Sequence, residues 1–197
     1  APPSLPKQEL GLPKVAIIST GGTIASRVDY RTGGVRPALS ASDLYSVVPE
    51  LSKIAVIDCE ILFSLFSENI TAKHWSGIAK SVAEHVEKGV EGVVVAHGTD
   101  TMAYTSAALS FALQDLPVPV IMVGSQRSAD RASSDAAPNL IGAVTAATHA
   151  PFAEVAVAMH ETVSDRSIVF HRGTKVRKCH TSRRDTFESI NAEPIAR

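Results

Sequence analysis

Two threonine-bearing segments, Ser19-Thr20-Gly21-Gly22-Thr23 and His97-Gly98-Thr99-Asp100-Thr101, hold the residues of this chain best suited to covalent chemistry. A threonine hydroxyl is nearly inert at neutral pH and attacks a carbonyl only when an adjacent base takes its proton. Thr23 and Thr99 are both candidate nucleophiles. Asp100 adjoins Thr99, and the basic stretch from Lys175 to Arg184 supplies lysines. A lysine held by an aspartate beside a threonine is a workable base and relay, with a general base typically worth roughly 10²–10⁴ in rate. Gly21 and Gly22 let the backbone approach a ligand closely. Each backbone N–H aimed at a developing oxyanion adds roughly 10²–10³. The segments Ser67-Glu68-Asn69 and Gly124-Ser125-Gln126-Arg127 contribute further hydroxyl, carboxylate and carboxamide groups. For any one segment a turn with a helix cap is an equal reading; four of them on one sheet edge favour a pocket for a small polar ligand.

The elements that position these segments can be read from periodicity. Val15–Ser19 is a continuous apolar run, as in a strand covered on both faces. Ile54–Leu65 reads as one long or two short strands. Val93–Ala96, Val118–Val123, Val155–Met159 and Ile168–Phe170 are further strands, the last two joined through the Glu161–Arg166 turn. Thr71 caps a helix whose apolar face is Trp75, Ile78, Ala79, Val82 and Val86, and Gly89 fits its C′ position. Thr99 or Asp100 caps a helix running to about Gln114, and Asp135–His149 forms another with Pro138 in its first turn. Ser40 or Ser42 caps a short helix ending near Pro49, whereas Gly21–Pro37 is too rich in Gly, Arg and Asp for either element. The alternation predicts an α/β fold, a mostly parallel sheet with helices on both faces. In such sheets ligands bind at the carboxyl ends of the strands, where the four polar segments fall.

Bulk properties narrow the function. Apolar residues make up 45% of the 197 and charged residues 20%, a soluble globular profile. The net charge of −1 gives no electrostatic argument for direct nucleic-acid binding, which usually carries a basic excess, although Lys175, Arg177, Lys178, Arg183 and Arg184 form one local basic stretch. The two cysteines form no CxxC, and the seven histidines form no HExxH pattern, so no metal is expected. No GxxxxGK[ST] is present, and the Thr20–Ser26 loop has neither a lysine nor a GxGxxG, which leaves nucleotide binding weakly supported. No apolar run reaches membrane-spanning length and no signal peptide opens the chain, so cytoplasm is the default expectation. Residues 1–14, with four prolines, read as a linker ahead of one domain over 15–197.

Ser19-Thr20-Gly21-Gly22-Thr23-Ile24-Ala25 and His97-Gly98-Thr99-Asp100-Thr101-Met102 resemble the two signature segments of the L-asparaginase/glutaminase family. Each is fairly specific; both, in this order with a strand before each, are very specific. The resemblance runs from Lys14 to about Ala196. It implies the family's flavodoxin-like N-terminal domain and hydrolysis of a side-chain carboxamide without metal or organic cofactor. Thr23 matches the first catalytic threonine and Tyr30 the tyrosine that contacts it. Ser67 matches the serine that holds the substrate carboxylate, with Glu68 beside it. Gly22, Ser125 and Gln126 are placed at the substrate pocket. Thr99 and Asp100 match the second threonine and its aspartate. Lys178 matches the catalytic lysine by its spacing to Phe187, with Lys175 as the fallback.

Within the family the chain most resembles archaeal members that serve as glutaminase subunits of tRNA-dependent amidotransferases. Arg27-Val28-Asp29-Tyr30-Arg31-Thr32-Gly33, Phe66-Ser67-Glu68-Asn69-Ile70, and Gln126-Arg127-Ser128 through Ser133-Ser134-Asp135-Ala136-Ala137 carry that likeness. It implies a homodimer, a tRNA-binding partner subunit that receives the ammonia, and ATP used only through that partner. A free-standing L-asparaginase is the alternative, as is a binding domain without turnover. The family's second domain would begin beyond Arg197, and in relatives it completes a neighbour's substrate site with an acidic group. Glu68 stands where many plain asparaginases have glutamine, which leaves the choice of amide open.

Overall fold

The computed structural model describes residues 11–21, 24, 45, 48–127, 132–164 and 166–197, and the backbone of 26–28 and 35–37. The strands are β1 (Lys14–Ser19), β2 (Ser26–Val28), β3 (Val35–Pro37), β4 (Val56–Ile61), β5 (Gly92–Ala96), β6 (Val120–Val123), β7 (Val155–His160), β8 (Ile168–Arg172), β9 (Val176–Lys178) and β10 (Phe187–Ser189). The helices are α1 (Ala72–Glu87), α2 (Met102–Ala112) and α3 (Ala136–His149), with 3-10 turns at Pro49–Lys53 and Ser67–Asn69.

Among the described residues the central sheet has six strands in the order β4-β1-β5-β6-β7-β8. Every pairing is parallel except β7 with β8. The alternating side chains of its inner strands feed two cores. Val15, Ile17, Val94, Ala96, Ile121 and Val123 pack with Leu140 and Val144 of α3 on one face. Ala16, Ile18, Val93, Val95, Val120 and Met122 pack with Ile78 and Val82 of α1 and Leu109 of α2 on the other. Helices thus cover both faces, and burial on two faces explains runs of apolar residues without alternation. The chain order reverses between β1 and β5, so their carboxyl ends flank a crevice of the kind where open α/β sheets bind ligands.

Several expectations are corrected. Gly21–Pro37 contains a strand pair after all: β2 and β3 are antiparallel, with Arg27 opposite Arg36. Strands of three residues are too short to show a period. Of Ile54–Leu65 only Val56–Ile61 is strand. Beyond it the chain bends across the end of β1, where the N–H groups of Leu62 and Phe63 donate to the carbonyl of Ser19 and that of Leu65 to Thr20. Helix α2 begins at Met102 with Thr101, not Thr99 or Asp100, at its N-cap. Gly89 has the expected positive φ of 84° just past α1. The short helix expected from Ser40 or Ser42, and residues 1–10 of the expected linker, lie outside the described residues.

Candidate active site

The first threonine loop leaves β1 on the edge it shares with β5. Thr20 is buried; its N–H and its Oγ1 both donate to the carbonyl of Ala96, at 3.0 and 2.9 Å. This ties the start of one polar segment to the start of the other. Gly21 has φ of 120°, and a Cβ there would lie 2.0 Å from the carbonyl oxygen of Leu65. Only glycine fits between β1 and the strand-end bend.

The second loop carries the central cluster. Lys178 Nζ donates to Thr99 Oγ1 and to Asp100 Oδ1, each at 2.8 Å. Lys178 comes from β9, whose partner β10 sets Lys178 directly opposite the buried Phe187. The lysine side chain is 12% exposed and that of Asp100 68% exposed. An ion pair with one partner so exposed adds little stability; its effect is to aim the amine at Thr99. The loop is close-packed from behind. A Cβ on Gly98 would lie 2.8 Å from Ser67 Cβ, and one on Gly124 would lie 2.8 Å from Thr99 Cγ2. Thr101 Oγ1 donates to the carbonyl of Ser67 at 2.7 Å, so its hydroxyl serves the loop junction instead of capping α2. A groove of about 930 Å³ between α2 and the β9–β10 hairpin, lined by Trp75, Tyr104, Phe111 and Arg177 among others, reaches Asp100 and Lys178 from the side.

The structure brings Thr99, Asp100 and Lys178 together and sets Ser67 against Gly98, two residues before Asp100. Lys175 is exposed, and its main chain pairs with Arg172 and Ile190. Ser67 is buried at the start of its 3-10 turn, while Glu68 is exposed. Ser125 and Gln126 are half-buried. The carboxamide of Gln126 is turned to the hairpin, donating to the carbonyls of Thr181 and Arg183 at 3.2 and 2.9 Å. Gly22, Thr23 and Tyr30 lie outside the described residues. His97 is buried at the strand end; burial pushes its imidazole below the usual range, opposed by its Nδ1 contact with the Gly98 carbonyl at 2.7 Å. Its Nε2 has no hydrogen-bond partner among the described residues.

Sequence reasoning missed a buried polar network beneath this site. The carboxylate of Asp135 accepts the N–H groups of Gln126 and Arg127, and Asn139 Nδ2 donates both to it and to the carbonyl of Gly124. Asn139 Oδ1 meets His160 Nδ1 at 2.6 Å. Asp135, Asn139 and His160 are all fully buried. The available signal was Asn139 and His160 on apolar faces of α3 and β7, with Asp135 at the N-cap of α3. Among the described residues no group of three or more His, Cys, Asp or Glu could hold a metal ion, and no helix is long and apolar enough to cross a membrane.

Comparison with known proteins agrees with this architecture. The family model "Asparaginase, N-terminal" matches residues 14–197. The chain is 56% identical over 186 residues to a protein of Thermofilum pendens named as the D-type subunit of glutamyl-tRNA(Gln) amidotransferase, covering 93% of this chain and 41% of that relative. A Metallosphaera sedula protein of the same name is 58% identical over 184 residues, covering 93% and 42%. The chain thus spans about two fifths of the length of these relatives. Among solved structures, the thermostable L-asparaginase of Thermococcus kodakarensis superposes with a TM-score of 0.80 at 35% identity, over 92% of this chain and 52% of that one. A probable cytoplasmic L-asparaginase of Campylobacter jejuni gives 0.79 at 29% identity, over 93% and 55%. The two threonine loops, the sheet order and these matches lead to one assignment: the chain belongs to the asparaginase family, as a member of its N-terminal domain.

Proposed function

We propose that this chain carries the amide-hydrolysing centre of a glutaminase subunit in a tRNA-dependent amidotransferase. The observation that carries this reading is the contact of Lys178 with both Thr99 and Asp100, at 2.8 Å each, at the sheet's carboxyl edge. The names of the relatives from Thermofilum pendens and Metallosphaera sedula support the amidotransferase setting.

In this mechanism a threonine oxygen attacks the side-chain amide carbon, with Thr23 the first nucleophile. The Thr23 hydroxyl proton passes to the departing nitrogen as the C–N bond breaks, and ammonia leaves. Water then cleaves the acyl-threonine ester and frees the acidic amino acid. In that second step Lys178, when unprotonated, takes through the Thr99 hydroxyl a proton from the attacking water, Asp100 stabilises the ammonium that results, and the proton returns to the Thr23 oxygen as the ester breaks. Ser67 holds the substrate carboxylate, with Tyr30, Gly22, Glu68 and Ser125 around it. Neither metal nor organic cofactor takes part; ATP is used by a tRNA-binding partner, which receives the ammonia, and the subunit works as a cytoplasmic homodimer.

The test is ammonia release from glutamine and asparagine by the intact protein, with and without Glu-tRNA and its partner. Release from glutamine that rises with the loaded partner, and falls at least ~100-fold in Thr99→Ala, is expected. Wild-type rates in Thr23→Ala and Thr99→Ala would sink the mechanism. Strong similarity to solved L-asparaginases supports a second reading, a free-standing asparaginase. Equal turnover of asparagine without tRNA or partner would favour it.

A further inference from the structure

We infer that Gln126 is a positioning residue, a cross-tie clamped by buried Asp135 that holds the Lys178 hairpin in register with Thr99. The inference rests on the reading that Thr99 and Lys178 act together in amide hydrolysis.

Lys178 and Thr99 stand on separate sheets. Thr99 follows β5 in the middle of the sheet, whereas Lys178 lies on β9, which among the described residues pairs with β10 in a two-stranded sheet of its own. A two-stranded ribbon is weakly fixed unless something else holds it. Phe187, buried in the second core, and the 2.8 Å contact of His171 with Ser189 hold the β10 side of the hairpin; the Gly124–Arg127 loop adds a hold beyond Lys178, and it also touches Thr99. At one end Gly124 packs so tightly on Thr99 that a Cβ would lie 2.8 Å from its methyl group and 2.9 Å from the carbonyl oxygen of His97. At the other end the carboxamide of Gln126 donates to the carbonyls of Thr181 and Arg183, three and five residues past Lys178.

The loop between these ends is itself fixed from below. Asp135 accepts the N–H of Gln126 at 3.1 and 2.9 Å and that of Arg127 at 2.9 Å. Asn139 bridges Asp135 to the Gly124 carbonyl at 3.1 and 2.9 Å. A carboxylate that accepts several N–H groups in a dry site has little freedom to move. Gln126 therefore projects from a rigid base, and its side chain transmits that rigidity to the lysine hairpin. Its two donor contacts face the hairpin, so the carboxamide works through Lys178 and not on substrate.

A shift of about 1 Å between reacting groups costs on the order of 100-fold in rate. In the intact protein Gln126→Ala is expected to lower kcat about 10- to 100-fold with KM within about twofold. Gln126→Lys keeps N–H donors to both carbonyls and is expected to recover kcat to within about threefold of wild type. Gln126→Glu presents only acceptors to the same carbonyls and is expected to behave like the alanine variant. The lysine variant, one bond longer, and the isosteric glutamate variant carry the comparison if the alanine variant unfolds. A raised KM with unchanged kcat would make Gln126 a substrate contact and overturn the inference. Equal kcat in the lysine and glutamate variants would overturn it too. If Thr99→Ala and Lys178→Met keep the wild-type rate, the amide-hydrolysis reading fails instead, whatever the Gln126 variants do.

Discussion

Lys178 and Thr99, 79 residues apart in the chain, meet through a hydrogen bond of 2.8 Å from the lysine Nζ to the threonine Oγ1. Neither element carrying them pairs with the other in a sheet. Their meeting depends on the loops behind them, and that dependence can be probed from several directions.

Lys178→Arg keeps the positive charge but replaces a compact amine by a planar guanidinium that does not give up its proton. We expect it, like Lys178→Met, to lose at least ~100-fold in kcat. Asp100→Asn leaves the lysine its contact with Thr99 and is expected to cost less, about tenfold. Steady-state ammonia release checks the order; an arginine variant more active than Asp100→Asn would reverse it.

Gly98 and Gly92 separate activity from stability. A Cβ on Gly98 would lie 2.8 and 2.9 Å from Cβ and Oγ of Ser67, next to the site. A Cβ on Gly92 would lie 2.0 Å from the carbonyl oxygen of Ala147, where α3 sits on β5. Gly92→Ala is expected to destabilise by about 1–3 kcal/mol or more, read as a lower melting temperature. Gly98→Ala should lower ammonia release by about tenfold or more with a smaller change in melting. The opposite pattern would show that the Ser67–Gly98 contact does not shape the site.

Acid sensitivity should trace in part to His171. Burial, and then the positive charge of Arg197, push its imidazole down from 6.5 to about 4, against a weaker upward pull from Glu161. The unfolded chain therefore binds this proton at a higher pH than the folded one. Stability contributed by His171 is present above about 6.5 and is lost as pH falls towards 4, by up to about 3 kcal/mol. His97, also lowered by burial, acts in the same direction. The carboxyl of Glu60 is raised by burial but lowered on balance by hydrogen bonds from Ser81 and His85, so it contributes at lower pH. Denaturant midpoints between about pH 7 and 5 should fall less steeply in His171→Gln than in wild type; an identical slope would remove His171 from the account.

Product binding offers a test without turnover. A ligand at about 100 times its Kd stabilises by about 2.7 kcal/mol if it binds only the folded state. Aspartate or glutamate should raise the melting temperature of the intact protein, and Ser67→Ala should abolish that rise. ATP should produce none in the protein freed of partners. A shift with ATP alone would revive nucleotide binding at the β1 loop.

The strands that build the site are legible in the sequence because their runs are apolar on both faces: Val15–Ser19 and Val93–Ala96 fall within β1 and β5. The spacing that singles out Lys178 has a physical basis, since Phe187 is its register partner across β9 and β10. The start of α2 is harder to read, because Thr99 and Asp100 are good capping residues by type, yet Lys178 engages both side chains. The Asp135–Asn139–His160 network is hidden because its partners come from separate elements, and a polar residue on an apolar face carries no mark of what it will meet. The β2–β3 pair is hidden by its brevity.

The position of β9 beyond β8 bears on how the molecule comes into being. A growing chain has both threonine loops, and all six strands of the central sheet, before residue 178 exists. Contacts between distant residues form late because closing long loops is slow. On refolding, the environment of Trp75, whose indole donates to Thr105 at 3.0 Å, should therefore recover before hydrolytic competence does. The protein would spend an interval folded in outline and chemically silent.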